Sequence, residues 1–445
     1  MFRSPNFLRL VGPALLLPFL GVAEAPAQKP EEKRVVAGKC YSHAGALLVR
    51  EATDKPWTFA DALDPLYTQD LLLALPGGRA VIGSKNGAVR ATLVGNLPLL
   101  YPVPTLESAV ILHANPDYDL DMTLARGNVR FANRKEKGAA RIHARLPGAT
   151  WDITLAEPGD EAAVEVEGRW SSGIPFTKDE KATEIPTSAA ILLVLKGSVG
   201  LKVGFNEYAL TAPPGPALYQ WESDSPAPAG PTRMDKFPDW METKGPISKE
   251  AKGAAALLVQ VGESAKTLGI EKALADLLTA GSQFAEPDRT IARQIAVFSM
   301  GAVDDLSGLT EALNSPSGEV RDYAVEALRQ WIGRAPKQDL PLYQFLVKQK
   351  KYSEGHADIV LQLLHSFGEL DRSRSETYET LISYLKHDKL PIRELAWWHL
   401  IRIVPDGNKI AYDPGAPPAD RQKGYEAWKK MLDDKKLPPG KPPDK

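Results

Sequence analysis

Two hydrophobic periodicities divide the chain into a strand-rich first half and a helix-rich second half. Between residues 36 and 221, apolar and polar positions alternate with a period of two in short segments, as in strands that bury one face. From residue 249 onward, apolar residues recur every three or four positions, which is the pattern of helices with one buried side. The expected fold is therefore a multidomain chain, β first and then α.

Short strands dominate the first half. They are predicted at residues 46–50, 71–75, 80–83, 88–93, 119–124, 128–132, 140–145, 150–155, 162–167, 190–195, 198–203 and 206–211. Turn-forming pairs that contain glycine separate them, among them Gly77-Gly78, Asn86-Gly87 and Gly127-Asn128. Because no helix intervenes, we expect an antiparallel β-sandwich or barrel-like domain over residues 36–221.

The helical half follows a segment rich in proline and glycine at residues 222–248, which is predicted to be a linker. Helices are predicted at residues 249–258, 270–278, 290–300, 306–313, 319–332, 340–349, 357–366, 376–387, 392–404 and 420–432. The helical domain is thus expected to span residues 249–432. Residues 433–445, rich in lysine and proline, are expected to form a disordered tail.

A motif recurs in the helical half: an apolar residue, Arg, two variable residues, Ala, three variable residues and a second apolar residue. The Arg–Ala pairs of its three copies are Arg293 with Ala296, Arg321 with Ala324, and Arg393 with Ala396. The leucines that precede the second and third copies also keep one spacing, namely Leu309 and Leu313 before Arg321, and Leu381 and Leu385 before Arg393. Internal similarity of this kind marks helical repeats, which build binding surfaces more often than catalytic pockets.

The motif resembles the helix pairs of HEAT-type, armadillo-like repeats, and the resemblance covers residues 250–405. The separation of Arg321 and Arg393 is about twice the repeat period of that class, so a divergent unit containing Val360, Leu361 and Leu364 is expected between them. The resemblance implies an α-solenoid. In such a stack the alanine lets helices approach closely, and the arginine caps a helix or bridges successive units.

The first half resembles the FecR domain, a periplasmic β-domain of anti-sigma and sensory proteins. The resemblance rests on the segments 65–73 (PLYTQDLLL), 86–90 (NGAVR), 124–129 (LARGNV), 157–159 (EPG) and 195–199 (LKGSV), together with Gly95. Gln69 stands where the family usually has glycine before Asp70. The resemblance implies a periplasmic β-domain used for protein contacts. The sigma-binding region and transmembrane segment of the signalling members are not found, so sigma-factor control is not expected.

The first residues predict the compartment. Arg3 and Arg9 form a positive start, residues 10–22 form an apolar run, and Ala25-Pro26-Ala27 offers a cleavage site. The apolar run is shorter than the roughly 20 residues that a membrane-spanning helix needs. We therefore predict a cleaved signal peptide at residues 1–27, a flexible leader at 28–35, and a periplasmic or secreted mature chain. A retained anchor is the alternative.

The net charge and composition indicate which classes of binding partner to expect. The formal net charge is −2 and no basic stripe with interleaved aromatics stands out, so no nucleic acid partner is expected. No segment of the mature chain is predicted to span a membrane. The single cysteine, Cys40, excludes an intramolecular disulfide and is expected to be a small apolar residue in an early strand.

Motifs for catalysis are missing from the sequence. Asp117, Asp119 and Asp121 match the start of a calcium loop, but Met122 replaces its glycine, so we predict the solvent-facing side of a strand instead. The seven histidines show no HExxH or other close ligand pair. Nucleophile elbows and phosphate-binding loops are also missing. We therefore predict no cofactor, no metal site and no enzymatic activity.

The sequence favours a non-enzymatic scaffold or sensory module that contacts protein partners through its β-domain and helical repeats. Trp398 and His399, on a repeat helix, are candidate partner contacts, with core packing as the alternative for Trp398. A second hypothesis is a glycan- or cell-wall-binding β-domain with a helical spacer, which requires Trp57, Trp151 and Trp170 to form an exposed platform. A third is an enzyme whose site gathers distant residues at the interdomain seam.

Overall fold

The computed structural model describes residues 34–43, 45–100, 105–179, 181–225, 230–237 and 248–439. The predicted signal peptide, most of the leader, much of the predicted linker and the end of the tail lie outside these residues. The strands are β1 Val36–Cys40, β2 Leu48–Arg50, β3 Thr58–Phe59, β4 Pro65–Tyr67, β5 Leu71–Ala74, β6 Arg79–Ser84, β7 Val89–Val94, β8 Ser108–His113, β9 Leu120–Asn133, β10 Ala140–Leu146, β11 Ala149–Leu155, β12 Glu161–Arg169, β13 Thr187–Lys196, β14 Ser198–Val203, β15 Asn206–Thr211, β16 Gly215–Glu222 and β17 Thr232–Met234. The helices are α1 Lys249–Leu268, α2 Ile270–Gly281, α3 Asp288–Ala302, α4 Leu306–Ala312, α5 Gly318–Ile332, α6 Asp339–Lys348, α7 Glu354–His365, α8 Glu369–Arg372, α9 Ser375–Tyr384, α10 Leu390–Ile403 and α11 Pro418–Asp433.

The strands pair in two ladders that share β9. The first ladder has the order β17-β16-β13-β12-β9-β7-β6-β1-β4, and all its pairs are antiparallel. The second has the order β3-β2-β5-β8-β9-β10-β11-β14-β15. Its β9–β10 pair is parallel and its other pairs are antiparallel. Apolar side chains from both ladders enclose one core, in which Trp151 is fully buried against the edge of Tyr219.

Strand β9 passes from one ladder to the other at Gly127. Residues 120–126 pair with β8 and β10, whereas residues 127–133 pair with β7 and β12. Gly127 has a φ of +96°, and a Cβ there would lie 2.2 Å from the carbonyl oxygen of Glu107. The prediction of a turn at Gly127-Asn128 is therefore wrong. The glycine redirects a continuous strand, because only a residue without a side chain fits this close approach.

The predicted helices are all present, and each begins within four residues of its predicted start. Helix α1 extends ten residues beyond its predicted end, to Leu268. The second helices of the repeat motif pack in succession, because α3 contacts α5 and α5 contacts both α7 and α10. Helices α3, α5 and α10, which carry the three copies of the motif, are called the signature helices below. None of the helices in the described residues has the length and apolar character needed to cross a bilayer.

A second core joins the helices to the strands. It contains helix residues such as Ile295 and Leu328 together with Trp57, Leu73 and Leu106 from the strand region. The described residues from Val35 onward accordingly form one compact unit, although the Pro-rich segment separates the two regions in sequence. Within that segment, β17 pairs with β16. The contact between strand region and helices is called the seam below.

Two predictions about single residues can be compared with the structure. Cys40 is buried and free at the end of β1, which confirms its expected place in an early strand. Asp121 is only 2% exposed and pairs with Arg145 at 2.8 Å, so the prediction that it faces solvent is wrong. A buried carboxylate is tolerated on this strand because the guanidinium compensates its charge.

Candidate functional site at the seam

The carboxyl ends of α3 and α5 point at the strand region. The last carbonyls of a helix have no partner inside that helix. Here the strand region supplies the donors, which are Arg126 Nη2 to Ala302 O at 3.0 Å, Trp57 Nε1 to Val303 O at 3.2 Å, and Trp170 Nε1 to Ile332 O at 3.1 Å. At the end of α7, a ring nitrogen of His365 lies 3.2 Å from the carbonyl oxygen of Ile174 in the strand region. The strand region therefore caps the carboxyl ends of α3 and α5.

A buried charge network lies at the centre of the seam. Glu107 is 5% exposed and accepts hydrogen bonds from Arg126 Nε at 2.6 Å and from Arg334 Nη2 at 2.5 Å. Asp304 accepts from Arg50 at 3.0 Å and from Arg334 at 3.3 Å. Three arginines thus share two carboxylates across the two regions, and Arg334 bridges both carboxylates.

The network keeps its groups charged near neutral pH. Burial alone would raise the pKa of Glu107, but the guanidinium groups of Arg334 and Arg126 outweigh it and hold that pKa below its usual value. The same arginines lower the pKa of Asp304 against the effect of burial. Burial and the neighbouring Arg126 lower the pKa of Arg334 to about 10, which leaves it protonated at pH 7. Glu107, Asp304 and Arg334 are therefore all charged at neutral pH.

A cavity of about 210 Å³ opens beside this network. Its walls include Leu106, Arg126, Val166, Trp170, Arg329 and Arg334. Arg329 differs from the other cavity arginines, because its guanidinium donates to the carbonyl oxygen of Leu364 at 2.6 Å and forms no ion pair in the described part of the chain. Burial and the positive charge of Arg402 lower the pKa of Arg329 to about 10. The cavity therefore combines apolar walls and the carboxylates of Glu107 and Glu167 with the guanidinium of Arg329, which has no ion-pair partner in the described residues.

Backbones approach closely where the seam closes. A Cβ on Gly168 would lie 2.4 Å from the carbonyl oxygen of Gly333, and one on Gly333 would lie 2.7 Å from that of Gly168. A Cβ on Gly368 would likewise come within 3.0 Å of the Cα of Gly173. Glycine faces glycine at both contacts, so side chains would push the two regions apart.

Two of the predicted repeat arginines have the same local geometry. Arg321 Nη1 donates to the carbonyl oxygens of Ser315 and Pro316, which lie 6 and 5 positions earlier. Arg393 Nη1 donates to those of His387 and Asp388, again 6 and 5 positions earlier. Each arginine therefore fixes the loop that leads into its own helix.

The repeat arginines also connect the signature helices. Arg293 on α3 pairs with Glu319 on α5 at 2.5 Å, and Arg321 on α5 pairs with Glu394 on α10. The three motif alanines, Ala296, Ala324 and Ala396, are fully buried. The motif thus places an arginine and an alanine at equivalent points of three packed helices.

The two candidate partner contacts lie largely inside the fold. The Trp398 ring lies between the guanidinium groups of Arg329, at 5.0 Å, and Arg402, at 3.9 Å. His399 is 2% exposed, and its Nε2 lies 2.6 Å from the carbonyl oxygen of Leu363. Burial lowers the pKa of His399 to about 3, so the ring is neutral. His399 therefore makes an internal contact and is not available to a partner, because the α7 backbone covers it.

The three tryptophans required for a glycan platform do not form one. Trp151 is buried in the strand core, and Trp57 is 9% exposed at the seam. Trp170 is partly buried and donates to the end of α5. Two of the three therefore stabilise the seam.

The seam residues were not identified from the sequence. Glu107 lies 19 positions from Arg126 and 227 positions from Arg334, so no motif spacing could connect them. One sequence feature does point to Arg334. Gly333-Arg334 directly follows a predicted helix, and a cation is favourable at the carboxyl end of a helix.

Comparison of the chain with family models, with curated proteins and with solved structures finds no match.

Proposed function

We propose that the protein is a non-enzymatic, extracytoplasmic binding protein that serves as a scaffold or sensory module for protein partners. In this proposal the helices form an α-solenoid of HEAT-like pairs, and the strands form a FecR-like antiparallel sandwich. The signal-like first residues support the compartment. Support for the FecR-like part comes from Gln69, which has a φ of +72° at the position where that family usually has glycine.

The observation that carries the proposal is that two of the repeat arginines make equivalent contacts. Arg321 and Arg393 hold their loops through the same pair of carbonyl positions. Stacked helix pairs with a constant internal geometry form extended surfaces, and proteins use such surfaces to bind other proteins. A repeat of this kind supports a scaffold better than it supports a catalytic pocket.

The proposed contact surface is the edge of the helices opposite the seam. The seam edge is covered by the strand region, whereas the loops before α5, α7 and α10 lie at the amino ends of these helices. We call residues 313–317, 349–353 and 385–389 the N-terminal edge. It carries exposed charged side chains, including Lys351, Lys386 and Asp388. Such a surface suits a polar protein partner.

The test uses the full mature chain and one surface variant. Cross-linking in cells that make the protein would identify a partner, and titration calorimetry with purified partner would measure its affinity. The charge reversals Lys351→Glu and Lys386→Glu are expected to weaken binding by at least about tenfold if the N-terminal edge is the contact. The matched control, Lys252→Glu with Lys429→Glu, changes the same charge on α1 and α11 and should bind as the parent does. Equal binding by both variants would reject this surface, and the recovery of no specific partner would reject the scaffold.

A second candidate function is the binding of a small organic anion in the seam cavity. The observation that favours it is Arg329, a partly buried cation that lines the cavity without an ion-pair partner in the described residues. Phenylacetate is a suitable probe because it combines a carboxylate with an apolar ring. Binding that disappears in Arg329→Gln and persists in Arg233→Gln, a change on exposed β17, would support it. Binding that survives both changes would place the probe elsewhere.

A further inference from the structure

Three potential metal ligands meet at the N-terminal edge. His356 lies in the first turn of α7, while His387 and Asp388 lie in the loop between α9 and α10. One ligand atom from each of the three side chains lies within 4.8 Å of the other two. The two imidazole rings are edge to face with their centres 4.9 Å apart. Residues from two different helical units therefore converge on one point.

The arrangement places two acceptor atoms side by side. The backbone N–H of Lys389 donates to Nδ1 of His387 at 3.0 Å, which requires a lone pair on that nitrogen. A carboxylate oxygen of Asp388 lies 2.9 Å from the same nitrogen. Nδ1 has a single lone pair, so it can accept the amide hydrogen or bind a metal ion but cannot do both. Binding through Nδ1 would require the Lys389 N–H to give way, whereas binding through Nε2 of the same ring would not.

The three side chains are close enough to converge on one ion. Zinc binds histidine nitrogen and carboxylate oxygen at about 2.0–2.2 Å in tetrahedral geometry, so ligand atoms on one ion are roughly 3.4 Å apart. The ligand atoms of His356, His387 and Asp388 lie within 4.8 Å of one another, so binding would require only a modest approach of the side chains. His356 is only partly buried.

The loop that carries His387 and Asp388 is fixed by hydrogen bonds from Arg393. Arg393 donates to the carbonyl oxygens of His387 and Asp388 and, through Nε, to that of Pro414 at 2.8 Å. Its guanidinium is thereby directed at backbone and not at the ligand atoms. The equivalent loop held by Arg321 has Ser315 and Pro316 at the same positions, which offer neither imidazole nor carboxylate. The ligand set therefore belongs to one unit of the repeat, on a loop geometry that both units share.

We propose that His356, His387 and Asp388 form a binding site for a divalent transition-metal ion, best matched by zinc. Two imidazoles and one carboxylate suit zinc, whereas calcium and magnesium prefer oxygen ligands alone. Three protein ligands leave a fourth position for solvent. The ion would connect the start of α7 to the loop before α10, and so would clamp the N-terminal edge of the helices.

The test is a zinc titration of the full mature chain freed of any polyhistidine tag. Competition with a metallochromic indicator should reveal one equivalent of bound zinc, and neither calcium nor magnesium should displace it. His356→Ala and His387→Ala should each weaken this binding by at least about tenfold. The matched control is His143→Ala, because His143 pairs with Asp152 at 2.6 Å in the strand region without a third ligand. Its zinc affinity should equal that of the parent.

Thermal unfolding provides a second readout. Zinc should raise the melting temperature of the parent and of His143→Ala but not that of the two ligand variants, because an ion that binds only the native state stabilises it. Circular dichroism confirms that the variants fold. The absence of a zinc equivalent in the parent, or its retention in both His356→Ala and His387→Ala, would overturn the proposal.

Discussion

The helices are fixed differently at their two edges. At the seam, donors for the helix ends come from the strand region, as with Arg126 on Ala302 and Trp170 on Ile332. At the N-terminal edge, Arg321 and Arg393 bind carbonyls only a few positions earlier in the same unit. The seam therefore depends on partners that are remote in sequence, whereas the N-terminal edge combines a local motif with contacts between units, such as that of Arg321 with Glu394. A loss at the seam should affect both regions, whereas a loss at the N-terminal edge should act first on the helices.

The two edges also contain two buried glutamates in contrasting environments. Glu107 at the seam has two arginine partners, which hold its pKa below the usual value despite burial. Glu394 on α10 is 2% exposed and has one arginine partner, Arg321. Burial, with the nearby carboxylates of Asp322 and Asp413, raises the pKa of Glu394 to about 7. The number of arginine partners thus separates a permanently ionised carboxylate from one that titrates near neutrality.

The largest effect is expected for Glu107→Gln. The change leaves Arg126 without its ion-pair partner and Arg334 with Asp304 alone, on side chains that are only 16% and 12% exposed. Removing one member of a buried ion pair typically costs about 3–5 kcal/mol. We expect the free energy of unfolding from urea titration to fall by this amount, in one transition that reports both the strand region and the helices.

The matched change is Glu222→Gln, which removes the partner of Arg169 from a pair in which both side chains are about half exposed. Exposed pairs contribute about 0–1 kcal/mol, so this variant should unfold nearly as the parent does. Equal losses in the two variants would mean that the seam network does not hold the regions together.

The pH dependence of the free energy of unfolding should reveal the raised pKa of Glu394. Its pKa is 4.5 in the unfolded chain and about 7 in the folded one, so between these values the folded state binds the proton more tightly. The stabilisation is therefore fully present below pH 4.5 and is lost as the pH rises through about 7. At about 1.4 kcal/mol per pKa unit, the parent should lose on the order of 3 kcal/mol relative to Glu394→Gln over this range.

Urea titrations of the parent and of Glu394→Gln at pH 5 and pH 8 measure this difference. Glu426→Gln, an exposed change on α11, serves as the control and should follow the parent at both values. Glu107 contributes with the opposite sign, since its stabilisation is present above pH 4.5 and declines as the pH falls. A constant difference between the parent and Glu394→Gln across this range would exclude the proposed titration.

The contrast between the edges explains what the sequence could predict. The helices followed from apolar spacing and the alanine positions from the internal repeat, and Ala296, Ala324 and Ala396 are fully buried. Periodicity reports burial along one element, so it identified the helices and most strands of the two ladders. It carries no information on which distant charges meet, and for that reason Glu107 and Arg334 were missed. The cluster of His356 with His387 was missed for the same reason, because its members belong to different helical units.

Close packing at the seam should make Gly168→Ala moderately destabilising. The new Cβ would lie 2.4 Å from the carbonyl oxygen of Gly333, so β12 and α5 would have to separate. Overpacking of this kind typically costs about 1–3 kcal/mol. Gly355→Ala is the matched change, since its Cβ meets open space in the first turn of α7. Alanine there should be neutral or should stabilise by up to about 1 kcal/mol, and a comparable loss in both variants would contradict the seam contact.

The smallest expected effect distinguishes two tryptophans at the same end of the helices. Trp170→Phe deletes the donor to Ile332 at the end of α5, whereas Trp398→Phe deletes a buried Nε1–H that has no partner. Because a hydrogen bond contributes about 1 kcal/mol net and an unsatisfied buried donor is costly, Trp170→Phe should destabilise more than Trp398→Phe by about 1–2 kcal/mol. Both changes remove similar apolar area and keep an aromatic ring against its neighbours, which are Arg329 and Arg402 for Trp398 and His365 for Trp170, so their difference in urea titration reports mainly the hydrogen bond. If the two variants unfold at the same urea concentration, the strand region does not stabilise the end of α5 through this donor, and the difference between the edges must come from charge alone.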